Sequence, residues 1–187
     1  MTESTRTNNS ARRFQFILIK PSHYDAQGYV VQWMKSTMPS NSLAAVYGLA
    51  VDAAERGVLG PDLPIDVTAI DETNKRVRPD ELIKLINDNG GEGLVGIVGV
   101  QSNEFPRAVD IARPFLAEGI QVMIGGFHVS GCLSMLPELP DDIKAARELG
   151  VSIFAGEAEE HIDTVIRDAA AHSLQPIYNH MTEELPC

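Results

Sequence analysis

The residues with the clearest capacity for ligand chemistry form one short stretch, Gly125-Gly126-Phe127-His128-Val129-Ser130. The stretch follows an apolar run, Ile120–Ile124, that is typical of a buried parallel strand. Adjacent glycines let a backbone approach another group closely, and the aromatic ring, imidazole and hydroxyl that follow can contact a ligand. Ligands of open parallel sheets bind beyond the carboxyl ends of the strands. We therefore expect residues 125–131 to form a ligand-binding loop.

Polar residues and glycines also follow other apolar runs of the chain. They are Ser22 and His23 after 14–19, Gln101, Ser102 and Asn103 after 94–100, and Gly156 and Glu157 after 151–155. Because parallel strands end at the same edge of a sheet, these residues would share one rim with the glycine stretch. Any one of these loops could instead serve only to turn the chain or to cap a helix.

The elements that would position these residues alternate between short apolar runs and helical patterns. Five strands are predicted at 14–19, 65–70, 94–100, 120–124 and 151–155, with helices at about 43–56, 79–89, 104–118, 141–149 and 157–171. Right-handed crossovers then give an α/β fold, a flavodoxin-like doubly wound parallel sheet of five strands in the order 2-1-3-4-5, with helices on both faces. Pro114 predicts a kink or an early break in the third helix. A further short helix is expected around 30–35.

The domain boundaries follow from where this alternation begins and ends. Residues 1–12 lack an apolar core and are expected to be a poorly ordered lead-in. Residues 13–172 carry the strand and helix patterns of one domain. Residues 173–187 have little periodicity, and we expect a linker toward a further domain or a tail that packs on the body.

Composition excludes several classes of partner. The net charge of −11 argues against nucleic acids and against anionic membrane surfaces. No segment approaches the ~18 apolar residues that a membrane-spanning helix requires. The only cysteines, Cys132 and Cys187, form neither a disulfide framework nor a C-x-x-C metal knuckle, so a cytoplasmic location is expected and no metal ligands are assigned.

Motifs for phosphate-bearing ligands are incomplete. A dinucleotide fold needs G-x-G-x-x-G after the first strand, where this chain has no glycine before Gly28. Gly126 and Gly131 have the glycine spacing of a Walker loop, but Cys132 stands where the lysine should be. A phospho-receiver domain would need acidic residues after the first and third strands, where this chain has Pro-Ser and Gln-Ser.

Taken together, the glycine motifs carry a family resemblance. The span from Phe14 to Cys187 resembles the N-terminal cobalamin-binding domain of cobalamin-dependent radical SAM enzymes. Residues 125–130 resemble that family's G-G-x-H-x-[ST] pattern, and residues 156–159 resemble its G-E-x-E. The segments 96–100 and 20–25 also fit the family.

The resemblance implies a function for the chain. It implies that the chain binds cobalamin and that a C-terminal radical SAM domain follows it in a longer protein. That domain would hold a 4Fe-4S cluster and S-adenosylmethionine, and cobalamin would shuttle a methyl group or otherwise assist radical chemistry there. The chain lacks the C-x-x-x-C-x-x-C motif of such domains, so no catalytic residues are assigned and no turnover is expected from it alone.

The resemblance also suggests which residues contact the corrinoid. Glycines would leave space for the flat corrin, while hydroxyl and amide groups would bond its amide side chains. The expected contacts are Ser22, His23, Gln101, Ser102, Asn103, Gly125, Gly126, Phe127, His128, Ser130, Gly156 and Glu157. Carrier-type cobalamin domains place D-x-H-x-x-G after the first strand, and its histidine ligates cobalt. Pro21 stands in the aspartate position here and Gly28 is five residues past His23, so His23 is not expected to be a cobalt ligand.

Two other interpretations stay open on the sequence. One is a flavodoxin-like domain that binds FMN or a nucleotide, although the phosphate-cradling loop after the first strand is missing. The other is a domain that binds no small molecule and serves only in protein interactions.

Overall fold

One parallel sheet forms the centre of the protein in a computed structural model that describes residues 12–33 and 40–181. Its strands are β1 (Phe14–Lys20), β2 (Ile65–Asp71), β3 (Gly93–Ile97), β4 (Gln121–Gly125), β5 (Ser152–Ala155) and β6 (Ile177–Asn179). They lie in the order β2-β1-β3-β4-β5-β6, and every neighbouring pair is parallel. The helices are α1 (Asn41–Glu55), α2 (Pro79–Asp88), α3 (Phe105–Ala117), α4 (Phe127–Met135), α5 (Asp141–Glu148) and α6 (Ile162–Ala170).

Helices cover both faces of this sheet. In β1, Phe16 and Leu18 pack against α1 and α6, whereas Ile17 and Ile19 belong to the core that includes α2, α3, α4 and α5. Successive side chains of a strand point to opposite faces, so a strand that is covered twice must be apolar throughout. All residues of β3, at the centre of the sheet, are accordingly buried.

The predicted α/β class is confirmed, but the predicted number of strands is wrong. Ile177–Asn179, within the segment expected as a linker or tail, pairs with β5 and adds a sixth strand at the end of the predicted order. Three residues are too few to show a periodicity of their own. Contacts with other parts of the chain hold the strand in place, since Tyr178 is buried and its hydroxyl donates to Asp168. The same burial raises the pKa of Tyr178 to about 12.

The predicted start of the last helix is also wrong. The helix expected from 157 begins only at Ile162, because Gly156 and Glu160 have φ values of 109° and 64°, which no right-handed helix accommodates. Of the kink or early break expected at Pro114, the break does not occur, and α3 continues to Ala117, close to the predicted end. Buried Ile111 and Phe115, on either side of the proline, keep both parts of α3 docked on the sheet.

The first long connection also departs from the prediction. Residues 30–33, the first four of the short helix expected around 30–35, are not helical. Val30 instead forms an isolated antiparallel bridge with Tyr24. Residues 34 and 35 lie outside the described part of the chain. So do 1–11 and 182–187, where the lead-in and the end of the tail are expected.

The described helices also bear on membrane insertion. Across residues 12–33 and 40–181, no helix has both the length and the apolar character needed to span a bilayer.

Two glycines of the first helical segment provide a test of the backbone geometry. Gly48 lies exposed inside α1, and a β-carbon there would meet no atom within 4 Å. Gly48→Ala should therefore raise the free energy of unfolding by about 0.5–1 kcal/mol, because alanine loses less backbone entropy in a helix. Urea unfolding followed by circular dichroism measures this change.

Gly57 is the matched control, since it also has open space around it but a φ of +63°. Gly57→Ala should lower the free energy of unfolding by about 1–2 kcal/mol. Equal effects of the two substitutions would contradict the left-handed stop after α1.

Candidate functional site

A groove of about 630 Å³ opens at the carboxyl edge of the sheet, between α1 and α6. Its floor comes from β1, β3, β4 and β5, and Phe16 and Leu18 are the residues that β1 contributes. Gly96 and Gly125 lie on the same face of the sheet as Leu94 and Met123, because alternate residues of a strand share a face. These two positions therefore contribute only backbone to the floor, and the missing side chains leave the groove open.

The walls of the groove differ in kind. One wall is α1, which contributes the small and apolar residues Ser42, Ala45, Val46 and Leu49. The other is the irregular segment 156–159 with the start of α6. Arg56, directly after α1, forms two hydrogen bonds of 2.7 Å with Asp163 in the first turn of α6. The start of α6 is therefore held near the end of α1, and the earlier turns of α1 face an irregular loop across the groove.

The mouth of the groove presents an aromatic side chain to solvent. Phe127, the first residue of α4, lines the groove and is 79% exposed. Met181 lines it as well and is also exposed. Apolar side chains that project at the edge of a concave surface are typical of places that contact a ligand or a partner.

The charge around the groove is negative. Glu157 and Glu159 line it, and no lysine or arginine does so among the described residues. Such a lining disfavours a ligand whose anionic groups must enter the groove. It favours ligands that are apolar, cationic, or rich in hydrogen-bond donors.

The structure brings seven of the twelve expected ligand residues to this groove. They are Gln101, Gly125, Gly126, Phe127, Ser130, Gly156 and Glu157. The other five, Ser22, His23, Ser102, Asn103 and His128, do not line it. Sequence reasoning missed the α1 wall, Gly96 in the floor and Glu159. The spacing of Ser42, Ala45 and Leu49 along a helix, with a glycine inside an apolar strand, was the available signal.

The expected loop at 125–131 is a helix from Phe127 onward, and the glycine before it has a structural role. Gly126 has a φ of 143°, and a β-carbon there would overlap with Val100 N and lie 2.8 Å from the carbonyl carbon of Gly99. Two backbone hydrogen bonds accompany this contact, Val100 N–H to Gly125 O at 3.1 Å and His128 N–H to Val100 O at 3.0 Å. The close approach expected for a ligand is thus made by the protein's own backbone.

His128 points away from the groove and is 11% exposed. Its Nδ1 lies 3.1 Å from Ser102 Oγ, its Nε2 lies 3.1 Å from Asp142 Oδ2, and its ring packs on Phe105 at 4.6 Å between centroids. The three polar residues have the composition of a hydrolase triad, with the two ring nitrogens exchanged relative to the usual arrangement. Since Ser102 does not line the groove, this cluster serves to fasten α4 to α5 and to the β3–α3 loop.

Ser22 and His23 belong to a second cluster on the rim. The Ser22 hydroxyl donates to Val31 O, and Val31 N–H donates to His23 O at 2.9 Å. Ser22 N–H also donates to the Glu72 carboxylate, which is 1% exposed and pairs with Arg107 at 2.6 Å. These contacts fold segment 21–33 onto the end of β1 and leave Ser22 no surface for a ligand.

Metal-binding chemistry finds little support in this site. Within 12–33 and 40–181, no three His, Cys, Asp or Glu side chains are grouped so that they could hold an ion. Cys132 in α4 is half-buried, and burial raises the pKa of its thiol, which favours the protonated form over the metal-binding thiolate.

Gly126→Ala tests the backbone contact that positions α4. The added β-carbon overlaps with the 99–100 backbone and forces alanine into an unfavourable φ, so the free energy of unfolding should fall by roughly 3 kcal/mol. Gly131→Ala is the control, because a β-carbon within α4 at that position meets nothing within 4 Å. Chemical denaturation measures both, and similar stability of the two variants would refute the contact.

Glu72→Ala tests the buried ion pair. The substitution leaves Arg107 without its carboxylate and Ser22 N–H without its acceptor, so the free energy of unfolding should fall by about 3–5 kcal/mol. Glu81→Ala is the control, because it removes a carboxylate from an exposed pair with Arg78. It should change the free energy of unfolding by no more than about 1 kcal/mol. Thermal and urea unfolding of the two variants compare the pairs, and equal losses would show that burial of Glu72 is unimportant.

Comparisons with known proteins give no relative for this chain. No protein-family model matches it, and neither a curated protein nor a solved structure does. The assignment of the groove depends on its own residues and geometry.

Proposed function

We propose that this chain is a flavodoxin-like cobalamin-binding domain and the N-terminal part of a cobalamin-dependent radical SAM enzyme. One observation supports this most directly. The two glycine motifs that carry the family resemblance, at 125–130 and 156–159, lie side by side at a single groove at the carboxyl edge of a parallel sheet, where Gly156 N–H donates to the Ser130 hydroxyl. Ligands of open parallel sheets bind at this edge.

The shape of the groove suits part of a corrinoid. Cobalamin combines a broad corrin disc with a slimmer nucleotide arm, and about 630 Å³ is the size of a site for a drug-sized molecule. The apolar floor with Gly96 and Gly125 would accommodate a compact, flat portion of the ligand. Phe127 at the mouth would then cover apolar surface of the portion that stays outside.

The placement of the histidines is consistent with cobalamin bound without a protein lower ligand. Among the described residues, none that lines the groove is a histidine. His128 is held by Ser102 and Asp142, and His23 lies with the segment that is folded onto the end of β1. Cobalamin held by this groove would supply methyl transfer or related chemistry to a radical SAM domain, which would hold the 4Fe-4S cluster and S-adenosylmethionine.

An FMN or nucleotide is the alternative ligand, and the charge of the groove weighs against a phosphate inside it. The same charge requires that the phosphodiester of a bound cobalamin lie outside the groove. A phosphate in the groove would meet Glu157 and Glu159 and would find no lysine or arginine among the described lining residues. A domain that binds only another protein is the other alternative. Phe127 and Met135, both prominently exposed on α4, would then contact the partner.

Titration with hydroxocobalamin, followed by visible spectroscopy, tests the proposal. Binding should shift the corrinoid bands with one-to-one stoichiometry. Ala45→Trp fills the groove from the exposed wall of α1 without changing the backbone, and it should weaken binding by about tenfold or more, equivalent to at least about 1.4 kcal/mol.

Ala44→Trp is the matched control, since Ala44 is the neighbouring exposed residue of α1 and does not line the groove. It should bind hydroxocobalamin as the unmodified chain does. No spectral change with a folded protein would reject cobalamin binding, and equal weakening by both tryptophans would place the ligand elsewhere. A yellow, FMN-containing preparation would support the alternative ligand.

A further inference from the structure

Two carboxylates at the groove are available to a ligand. Glu159 is half-buried and Glu157 is exposed, and both line the groove. In the part of the chain that the structure describes, neither takes part in a hydrogen bond or an ion pair. Several other acidic side chains are neutralised, as Glu72 is by Arg107 and Asp163 is by Arg56. The groove therefore keeps two unused hydrogen-bond acceptors that carry negative charge.

The segment that carries these carboxylates is anchored at its base. Gly156 N–H donates to the Ser130 hydroxyl at 3.2 Å, which joins the segment to α4. A β-carbon on Gly156 would lie 2.9 Å from the carbonyl carbon of His180, so the chain beyond β6 packs directly against it. Glu157 and Glu159 follow directly from this anchor and are thus placed beside the groove by backbone contacts.

The chemistry of the corrin rim matches such acceptors. Its acetamide and propionamide side chains carry NH₂ groups, which donate hydrogen bonds that are strengthened when the acceptor is a carboxylate. Hydrolysis of one amide replaces its NH₂ donor by a carboxylate on the corrin. That carboxylate would face like charge, and no lysine or arginine among the described residues that line the groove would offset it.

On the basis of the proposed function, we propose that Glu157 and Glu159 determine corrinoid specificity, by selecting fully amidated corrinoids and rejecting those with a free peripheral carboxylate. Discrimination of this kind arises as much from repulsion between the glutamates and a carboxylate on the corrin as from hydrogen bonds between the glutamates and the corrin amides. It acts between charges near the protein surface, so salt should weaken it.

The experiment compares hydroxocobalamin with its three monocarboxylic acids, in each of which one propionamide of the corrin is hydrolysed. Dissociation constants are measured by visible titration at low ionic strength and again at about 1 M salt, where the screening length falls to about 3 Å. At least one of the three acids should bind about tenfold more weakly than hydroxocobalamin, and high salt should reduce that ratio.

The double variant Glu157→Gln, Glu159→Gln assigns the effect to these residues. It keeps acceptor oxygens and removes both charges, so the ratio between the discriminated acid and hydroxocobalamin should fall toward one. Glu160→Gln is the control, since Glu160 is an exposed neighbour that does not line the groove, and it should keep the ratio of the unmodified chain.

The outcomes separate the two proposals. Equal binding of hydroxocobalamin and all three acids would overturn the specificity inference and leave cobalamin binding intact. The specificity inference would also be overturned if the double variant kept the ratio between the dissociation constants of the discriminated acid and hydroxocobalamin. If the folded protein binds neither hydroxocobalamin nor any of the three acids, the proposed function itself fails.

Discussion

The backbone contact between Gly126 and Val100 is the constraint on which the geometry of the groove depends. It fixes the start of α4 against the β3–α3 loop, with hydrogen bonds on either side of it. Gly125 then ends its strand in the floor of the groove, Phe127 projects at the mouth, and His128 turns to the opposite side, toward Ser102 and Asp142. One close approach therefore decides which residues of the motif a ligand can reach.

The carboxyl edge of the sheet is divided into a filled half and an open half. At β1 and β2, the protein's own ion pairs occupy the rim, with Glu72 joined to Arg107 and Lys20 joined to Glu104. Buried pairs of this kind are strongly destabilised when one partner is lost, so this half resists rearrangement. At β3 to β5, two glycines and the late start of α6 leave the rim open. This asymmetry explains why residues after the first strand do not reach the groove.

Local sequence patterns predicted the parts of the fold that are governed by burial. Strands β1, β3, β4 and β5 appear as mainly apolar runs because both faces of the sheet are covered, whereas β2 at the edge is less apolar and less buried. The pattern did not predict two elements. Strand β6 has only three residues and depends on its pairing with β5, which is distant in sequence. Helix α4 carries no Asp, Glu, Lys or Arg and no clear apolar stripe. For the site, the glycine stretch indicated the correct edge of the sheet. The sequence predicted the helix that carries Asp142 but not where that helix packs. It therefore could not indicate that Asp142 would hold His128 away from the groove.

The two glycine motifs also show why a motif alone does not define a binding site. In each motif one glycine is required by the fold, Gly126 by the backbone at 99–100 and Gly156 by the backbone at His180. Those positions would demand glycine whether or not a ligand binds. Gly125 differs in degree, because a β-carbon there would lie 3.3 Å from Phe154 O, a tight contact that calls for a small shift rather than an overlap, and a side chain there would enter the groove. A ligand is therefore indicated by Gly125, Phe127 and the carboxylates of Glu157 and Glu159, which have no partner among the described residues and whose arrangement the packing of the fold does not by itself require.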